Sequence, residues 1–384
     1  VAVTVFVSGM DYRQNEGLDK PARPITMNPL LEVRALSQQI WLDNLSRSLL
    51  NDGHLARLIA QDGVCGVTTN PSIFHKAIAD GRYYEDDLAR LLGEPHEAEA
   101  RYEALVIPDV QRACDLLLAT HRESKGDAGY VSLEVSPALA HDAEATIAAG
   151  VRLKQAVARE NLLIKVPATL AGLSAIEGLI GQGVSVNVTL MFSLAHVDAV
   201  AAAYVAGLEK LRDSGGDPGT IMSVASLFLS RVDTAVDKRL EDIGGDALKL
   251  RGKSAVAMAK LAYRHYLERF HGPGFTPLKA WGARPQFMLW ASTGTKNPAY
   301  SDLLYVEPLI GPETVNTLPD ATLAALRDHG RAAPTIGEDI EAADAQFEAL
   351  AGLNIDMNSL GQQLQDDGLK QFEQAYAALL ELTA

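Results

Sequence analysis

Cysteine is scarce: Cys65 and Cys114 are the only two in 384 residues. Cys65 lies within an apolar, strand-like run, so a buried free thiol is expected rather than a disulfide, and the pair points to a reducing cytoplasm. Positive charge is also in deficit. Against 49 acidic residues stand 34 lysines and arginines, a net charge of −15, which disfavours nucleic acid as a partner but leaves room for a local basic pocket. No apolar stretch is long enough to span a bilayer, and the opening Val1-Ala-Val-Thr-Val-Phe-Val7 lacks the basic flank of a signal peptide. The nine histidines show no metal-ligand spacing, so no metal is expected. Nucleotide motifs are missing too. Ala247-Leu-Lys-Leu-Arg-Gly-Lys-Ser254 imitates a phosphate-binding loop, but the Leu240–Asp246 segment before it is polar and glycine-rich rather than strand-like. Gly178-Leu-Ile-Gly-Gln-Gly183 has its glycines in the wrong order for a dinucleotide turn and precedes a strand instead of following one. Internal repeats and low-complexity blocks are absent.

What is present is an ordinary globular composition, 47% hydrophobic and 22% charged, enough to bury the core of one large α/β domain. Short apolar runs alternate with longer amphipathic stretches. The runs Ile40–Asp43, Val64–Thr69, Tyr130–Val135, Leu162–Val166, Val184–Thr189, Ile221–Ser226, Gln286–Ser292 and Glu313–Thr317 read as strands. Helical patterns such as His141–Arg159, Ser193–Arg212 and Gly252–Phe270 separate them. Eight such alternations predict a single α/β domain, a (β/α)8 barrel of the TIM type. The alternative, an open doubly wound sheet, would need a phosphate-binding turn after its first strand.

The compact protein is expected to span 27–384, with residues 1–26 a flexible N-terminal arm or an expression remnant. Two insertions exceed a minimal barrel: a mostly helical excursion at 71–127, expected to cover one mouth, and extra helices from about residue 320, ending in Asn358–Leu382.

Lys165 stands in the apolar run Asn161-Leu-Leu-Ile-Lys-Val-Pro-Ala-Thr169. Burying an ammonium is costly, so this position favours a neutral, nucleophilic amine able to form a Schiff base. A lysine that snorkels outward or pairs with one carboxylate fits the strand equally well. Its neighbours weigh in favour of chemistry. The C-terminal ends of successive strands carry Asp43, then Thr68-Thr69-Asn70, Glu134, Lys165, Asn187 with Thr189, Ser226 and Ser292, and barrel active sites collect at that face. Each alone is a plausible helix cap, ion-pair partner or core amide. Together they suit aldol cleavage of a ketose: an amine makes the iminium, a carboxylate takes the β-hydroxyl proton, and a relay moves protons during dehydration.

The motifs resemble those of the transaldolase family. Gly66-Val-Thr-Thr-Asn-Pro-Ser-Ile-Phe74 is similar to its second-strand signature, and Leu163-Ile-Lys-Val-Pro-Ala-Thr169 followed by Gly172 to its Schiff-base signature. Val186-Asn-Val-Thr-Leu190 and Ser226-Leu-Phe-Leu-Ser-Arg231 agree as well. The resemblance implies a cofactor-free transferase of the pentose phosphate pathway. It would move a dihydroxyacetone unit from sedoheptulose 7-phosphate to glyceraldehyde 3-phosphate. In that reading Lys165 forms the Schiff base, Asp43 is the acid/base for carbon–carbon cleavage, and Glu134 acts through a water with Thr189. Asn70 and Asn187 hold the dihydroxyacetone unit, Ser226 contacts its hydroxyl, and Arg231 binds the phosphate.

Shorter relatives place a second phosphate-binding arginine after Ala-Ser on the seventh strand. Here the segment reads Ala291-Ser-Thr-Gly-Thr-Lys-Asn297, so Ser292 keeps its place and Lys296 becomes the candidate, two residues later. The length and this motif resemble the longer bacterial and plant-type subgroup. Aldolases of the fructose 6-phosphate type resemble one another in having glutamine and tyrosine where this chain has Glu134 and Phe228, so transfer is favoured over lysis. A barrel that only binds sugar phosphates is the rival from another class. The sequence leaves a monomer and a homodimer equally open.

Overall fold

The computed structural model describes residues 28–384; the 1–26 arm lies outside the described residues. Eight strands form: β1 (Gln38–Leu42), β2 (Gly66–Val67), β3 (Tyr130–Glu134), β4 (Leu162–Pro167), β5 (Val186–Met191), β6 (Ser223–Phe228), β7 (Phe287–Ala291) and β8 (Thr314–Leu318). Every neighbouring pair is parallel, and β8 returns to β1, which closes the barrel. Strands buried on both faces carry apolar residues at nearly every position, and β4, β5 and β6 are buried throughout. All eight expected runs become strands. The β2 ladder is shorter than its run because the chain leaves the sheet early: Thr69 Oγ1 turns inward and donates to the Ser132 carbonyl at 2.8 Å.

Four of the helices that follow strands start at side-chain caps. Asn70, Asp142, Thr169 and Ser193 each accept the backbone N–H three residues on, at 3.0, 3.0, 2.9 and 3.2 Å, which satisfies donors the new helix leaves free. The helical stretches Ala143–Val157, Leu194–Asp213 and Ser254–His271 match the expected ones. No helix among the described residues is long and apolar enough to cross a membrane.

The excursion after β2 is helical, as expected, with helices at Pro71–Ala79, Glu85–Leu92 and Ala98–Glu123. Its role differs from the expected one. The long Ala98–Glu123 helix packs against β3 and the Ala143–Val157 helix, so it serves as the ring helix between β2 and β3. Only Asn70 and Ser72, at the start of the first helix, reach the cavity at the barrel mouth. The element that crosses the mouth is the C-terminal helix, Met357–Glu381. Gln365 Nε2 fastens it by donating to the carbonyls of Ala168 (2.8 Å) and Leu190 (3.0 Å), just beyond β4 and near the end of β5.

One glycine sets the position of the β4 end. A Cβ built on Gly172 would lie 1.9 Å from the Pro167 carbonyl oxygen, so any side chain there forces the helix off the strand that carries Lys165. Gly172→Ala is expected to cost about 1–3 kcal/mol or more, read as a lower urea midpoint at unchanged slope.

Candidate active site

Parallel register aligns Glu134 on β3 with Lys165 on β4, and Lys165 with Asn187 on β5. One row around the barrel wall therefore holds a carboxyl, an amine and an amide. Lys165 is 5% exposed. Its Nζ donates to the Thr69 carbonyl at 2.8 Å and lies 3.6 Å from Glu134 Oε2, close enough for charge attraction but too long for a hydrogen bond. The ring of Phe372, from the C-terminal helix, has its centroid 6.0 Å from Nζ.

Burial pushes the Glu134 carboxyl up to about 7; the Lys165 charge works against that shift, and Asp43 adds to it. Asp43 also stands above the usual carboxylate range because burial outweighs Lys165 and the Thr68 hydroxyl. Thr68 Oγ1 donates to Asp43 Oδ1 at 2.9 Å and lies 2.7 Å from Thr317 Oγ1. Its single proton is then committed to Asp43, so the Thr317 hydroxyl donates to Thr68. Two buried polar atoms, Glu134 Oε2 and Thr189 Oγ1, have no hydrogen-bond partner in the protein. Such groups are costly to leave unmet, which marks where a reacting oxygen is best received.

A cavity of about 220 Å³ collects Asp43, Asn70, Lys165, Thr189, Ser226, Arg231 and Ser292, seven of the ten residues singled out from the sequence. Glu134 stands behind Lys165 and faces a second cavity of about 230 Å³. Asn187 is fully buried, and its amide is already engaged: Nδ2 donates to Ser132 Oγ at 2.9 Å, and Oδ1 accepts from Ser226 Oγ at 2.7 Å. It holds Ser226 in place before it can touch a ligand. Asn70 likewise spends Oδ1 on its helix cap, leaving Nδ2 for the cavity.

Arg231 lies in the first turn of the Ser230–Ile243 helix. Burial lowers its pKa, and no carboxylate pairs with it among the described residues. Its guanidinium carbon sits 5.8 Å from the centroid of the Phe228 ring. A half-buried cation with no internal partner, beside the Ser230–Ser292 hydroxyl pair at 2.8 Å, suits a doubly charged oxyanion.

Lys296 does not join this set. It is exposed and absent from the cavity wall. The chain leaves β7 through Ser292, held at φ +54, and the following loop folds on itself. Thr295 Oγ1 donates to the Ser301 carbonyl at 2.8 Å, and Asn297 Oδ1 accepts from the Ala299 N–H at 3.0 Å. That turn carries Lys296 outward. Among the described residues no group of three or more His, Cys, Asp or Glu side chains converges as metal ligands would.

Reading the strand ends missed Thr317 and, above all, Phe372, which comes from a helix remote in sequence. A signal was available: Gly361, Gln365, Gly368 and Phe372 recur at helical spacing on one face.

Fold and site together define a closed parallel β/α barrel with a buried amine among titratable groups at its C-terminal mouth. Residues 40–383 match the family model described as transaldolase/fructose-6-phosphate aldolase, and the chain belongs to that family. It is 59% identical to a protein of Thiobacillus denitrificans over 92% of this chain and 99% of the other. The corresponding figures are 50%, 92% and 99% for a protein of Neisseria gonorrhoeae, and 47%, 94% and 98% for one of Mycolicibacterium smegmatis. All three are named transaldolase.

Because the Lys165 ammonium pulls the Glu134 carboxyl down, Lys165→Met should move its titration to higher pH than about 7. An NMR titration of carboxyl-labelled glutamate checks this; a titration unchanged or shifted lower would mean the two groups do not interact as the geometry indicates.

Proposed function

We infer that this chain is a transaldolase in which Lys165 is the Schiff-base lysine. The observation that carries this reading is a buried amine at the mouth cavity with a raised carboxyl beside it, Glu134, and a second, Asp43, on the cavity wall. Family membership and relatives of the same name, matched over nearly their whole length, support the activity.

The Lys165 amine adds to the ketose carbonyl of sedoheptulose 7-phosphate. Glu134, half-ionised near neutrality, takes and returns protons through a water as the carbinolamine forms and loses its oxygen, with the Thr189 hydroxyl receiving that oxygen. In the iminium, Asp43 removes the proton from the C4 hydroxyl. The C3–C4 bond breaks into the iminium, which gives the enamine of dihydroxyacetone and frees erythrose 4-phosphate. Glyceraldehyde 3-phosphate then takes its place. The enamine carbon attacks its aldehyde, Asp43 returns the proton to the new alkoxide, and hydrolysis releases fructose 6-phosphate and the lysine. Asn70 and Ser226 orient the three-carbon unit. Arg231 and Ser292 hold the phosphate, and Lys296 is left out of that role. Both cysteines are free and buried, with thiols pushed up to about 11 and 12; such inert thiols fit a cytoplasmic enzyme.

Borohydride reduction in fructose 6-phosphate should leave a three-carbon adduct on Lys165, located by peptide mass spectrometry, and Lys165→Ala should lose both adduct and turnover. A folded wild-type protein without adduct would favour a sugar-phosphate binder instead. Adduct formation should slow as pH falls below about 7, since protonated Glu134 cannot accept the amine's proton, and Glu134→Gln should slow it about 100-fold or more. Arg231→Ala should raise KM for phosphorylated sugars about 10- to 100-fold, the worth of one charge-assisted contact or two. Free dihydroxyacetone should be affected little; equal effects on both would remove the phosphate role.

A further inference from the structure

We propose that the C-terminal helix is part of the active site and that Phe372 shields the lysine-bound three-carbon unit from water, so that the unit is transferred rather than released. This rests on the Schiff-base reading above.

The helix presents one face to the mouth, and the residues of that face meet either the ends of β4 and β5 or the site itself. Gly361 leaves no room for a side chain: a Cβ there would lie 2.6 Å from Ser193 Cβ and 3.0 Å from the Phe192 carbonyl oxygen. Gln365 is bonded to the carbonyls of Ala168 and Leu190. A Cβ on Gly368 would lie 3.1 Å from Leu190 Cδ2 and 3.4 Å from Arg231 Nη1, so the bare backbone there admits the guanidinium. Phe372 follows one turn on, 8% exposed, as a wall of the cavity that holds Lys165. The two glycines let the helix lie close, the glutamine fixes its position, and the phenyl ring is thereby held over the amine.

A ring in that place has two consequences. Its face attracts a cation, and Nζ at 6.0 Å from the centroid becomes the nitrogen of a positively charged iminium during the reaction. The ring also has no proton to give and occupies space that water would otherwise take. Release needs both a proton and water from solvent. The proton adds to the enamine carbon, water adds to the resulting iminium carbon, and the C–N bond breaks to give free dihydroxyacetone and the lysine amine. Transfer needs neither until the new carbon–carbon bond exists.

The test uses full-length Phe372→Ala and Phe372→Leu with fructose 6-phosphate as donor. Three quantities are measured: the borohydride adduct on Lys165, sedoheptulose 7-phosphate formed with erythrose 4-phosphate, and free dihydroxyacetone. The adduct should persist in both variants. The ratio of release to transfer should rise about tenfold in the alanine variant and less in the leucine variant. A wild-type ratio in an adduct-forming alanine variant overturns the proposal. If that variant does not fold, a wild-type ratio in the leucine variant overturns it equally, and a raised ratio supports it. Absence of adduct in the wild-type protein would instead bring down the Schiff-base reading itself.

Discussion

The site depends on keeping one ammonium-bearing side chain inside a largely apolar barrel. Lys165 is 5% exposed, with one hydrogen bond from Nζ, to the Thr69 carbonyl, and one nearby charge, Glu134 at 3.6 Å. A fully satisfied lysine would donate three hydrogen bonds. Burial of an ion pair is seldom stabilising in itself, so this arrangement is better understood as poised for chemistry than as an aid to folding. The same burial raises both carboxyls. Both acids beside the amine are thereby brought nearer to the range in which protons pass in either direction near neutral pH.

Parallel strands supply the precision that such a site needs. Register puts Glu134, Lys165 and Asn187 side by side, and the helices after β4 and β5 begin at capped turns directly beyond their strands. The polar layer beneath the cavity is bonded to itself, Ser132 to Asn187 to Ser226. The cavity wall thus rests on a layer whose polar groups are already bonded to one another. Where the ladder is irregular, the irregularity falls at the mouth. The β5–β6 register shifts between Val188 and Met191, Leu190 has φ +60, and its carbonyl is one of the two that Gln365 holds.

Much of this was legible in the amino-acid order. Parallel strands buried on both faces are written as apolar runs, and the helices between them as amphipathic ones, so the barrel could be counted before it was seen. Lys165 stood out because a charge inside such a run contradicts its surroundings. Strand ends were readable because the strand and its capping residue are neighbours in the chain: Asn70 and Thr169 are both polar and both caps. Gly172 belongs to the same local grammar, its lack of a side chain dictated by a carbonyl five residues earlier.

Other facts were decided only when distant segments met. Asn187 and Asn70 look equally available in sequence, yet the first is spent on Ser132 and Ser226. Lys296 has the right charge and nearly the right place, but the turn after Ser292 takes it to the surface. Glu134 acquires its shift from burial, opposed by the Lys165 charge on β4 and aided by Asp43 just beyond β1. Gln365 reaches a carbonyl 197 residues away, bringing Phe372 to a lysine it never neighbours in sequence. Hydrophobic periodicity is a local property, and it determined the elements and their order. Which polar atoms converge, and which are already paired, follows from side-chain direction and packing between elements, and that only the closed barrel with its last helix across the mouth could settle.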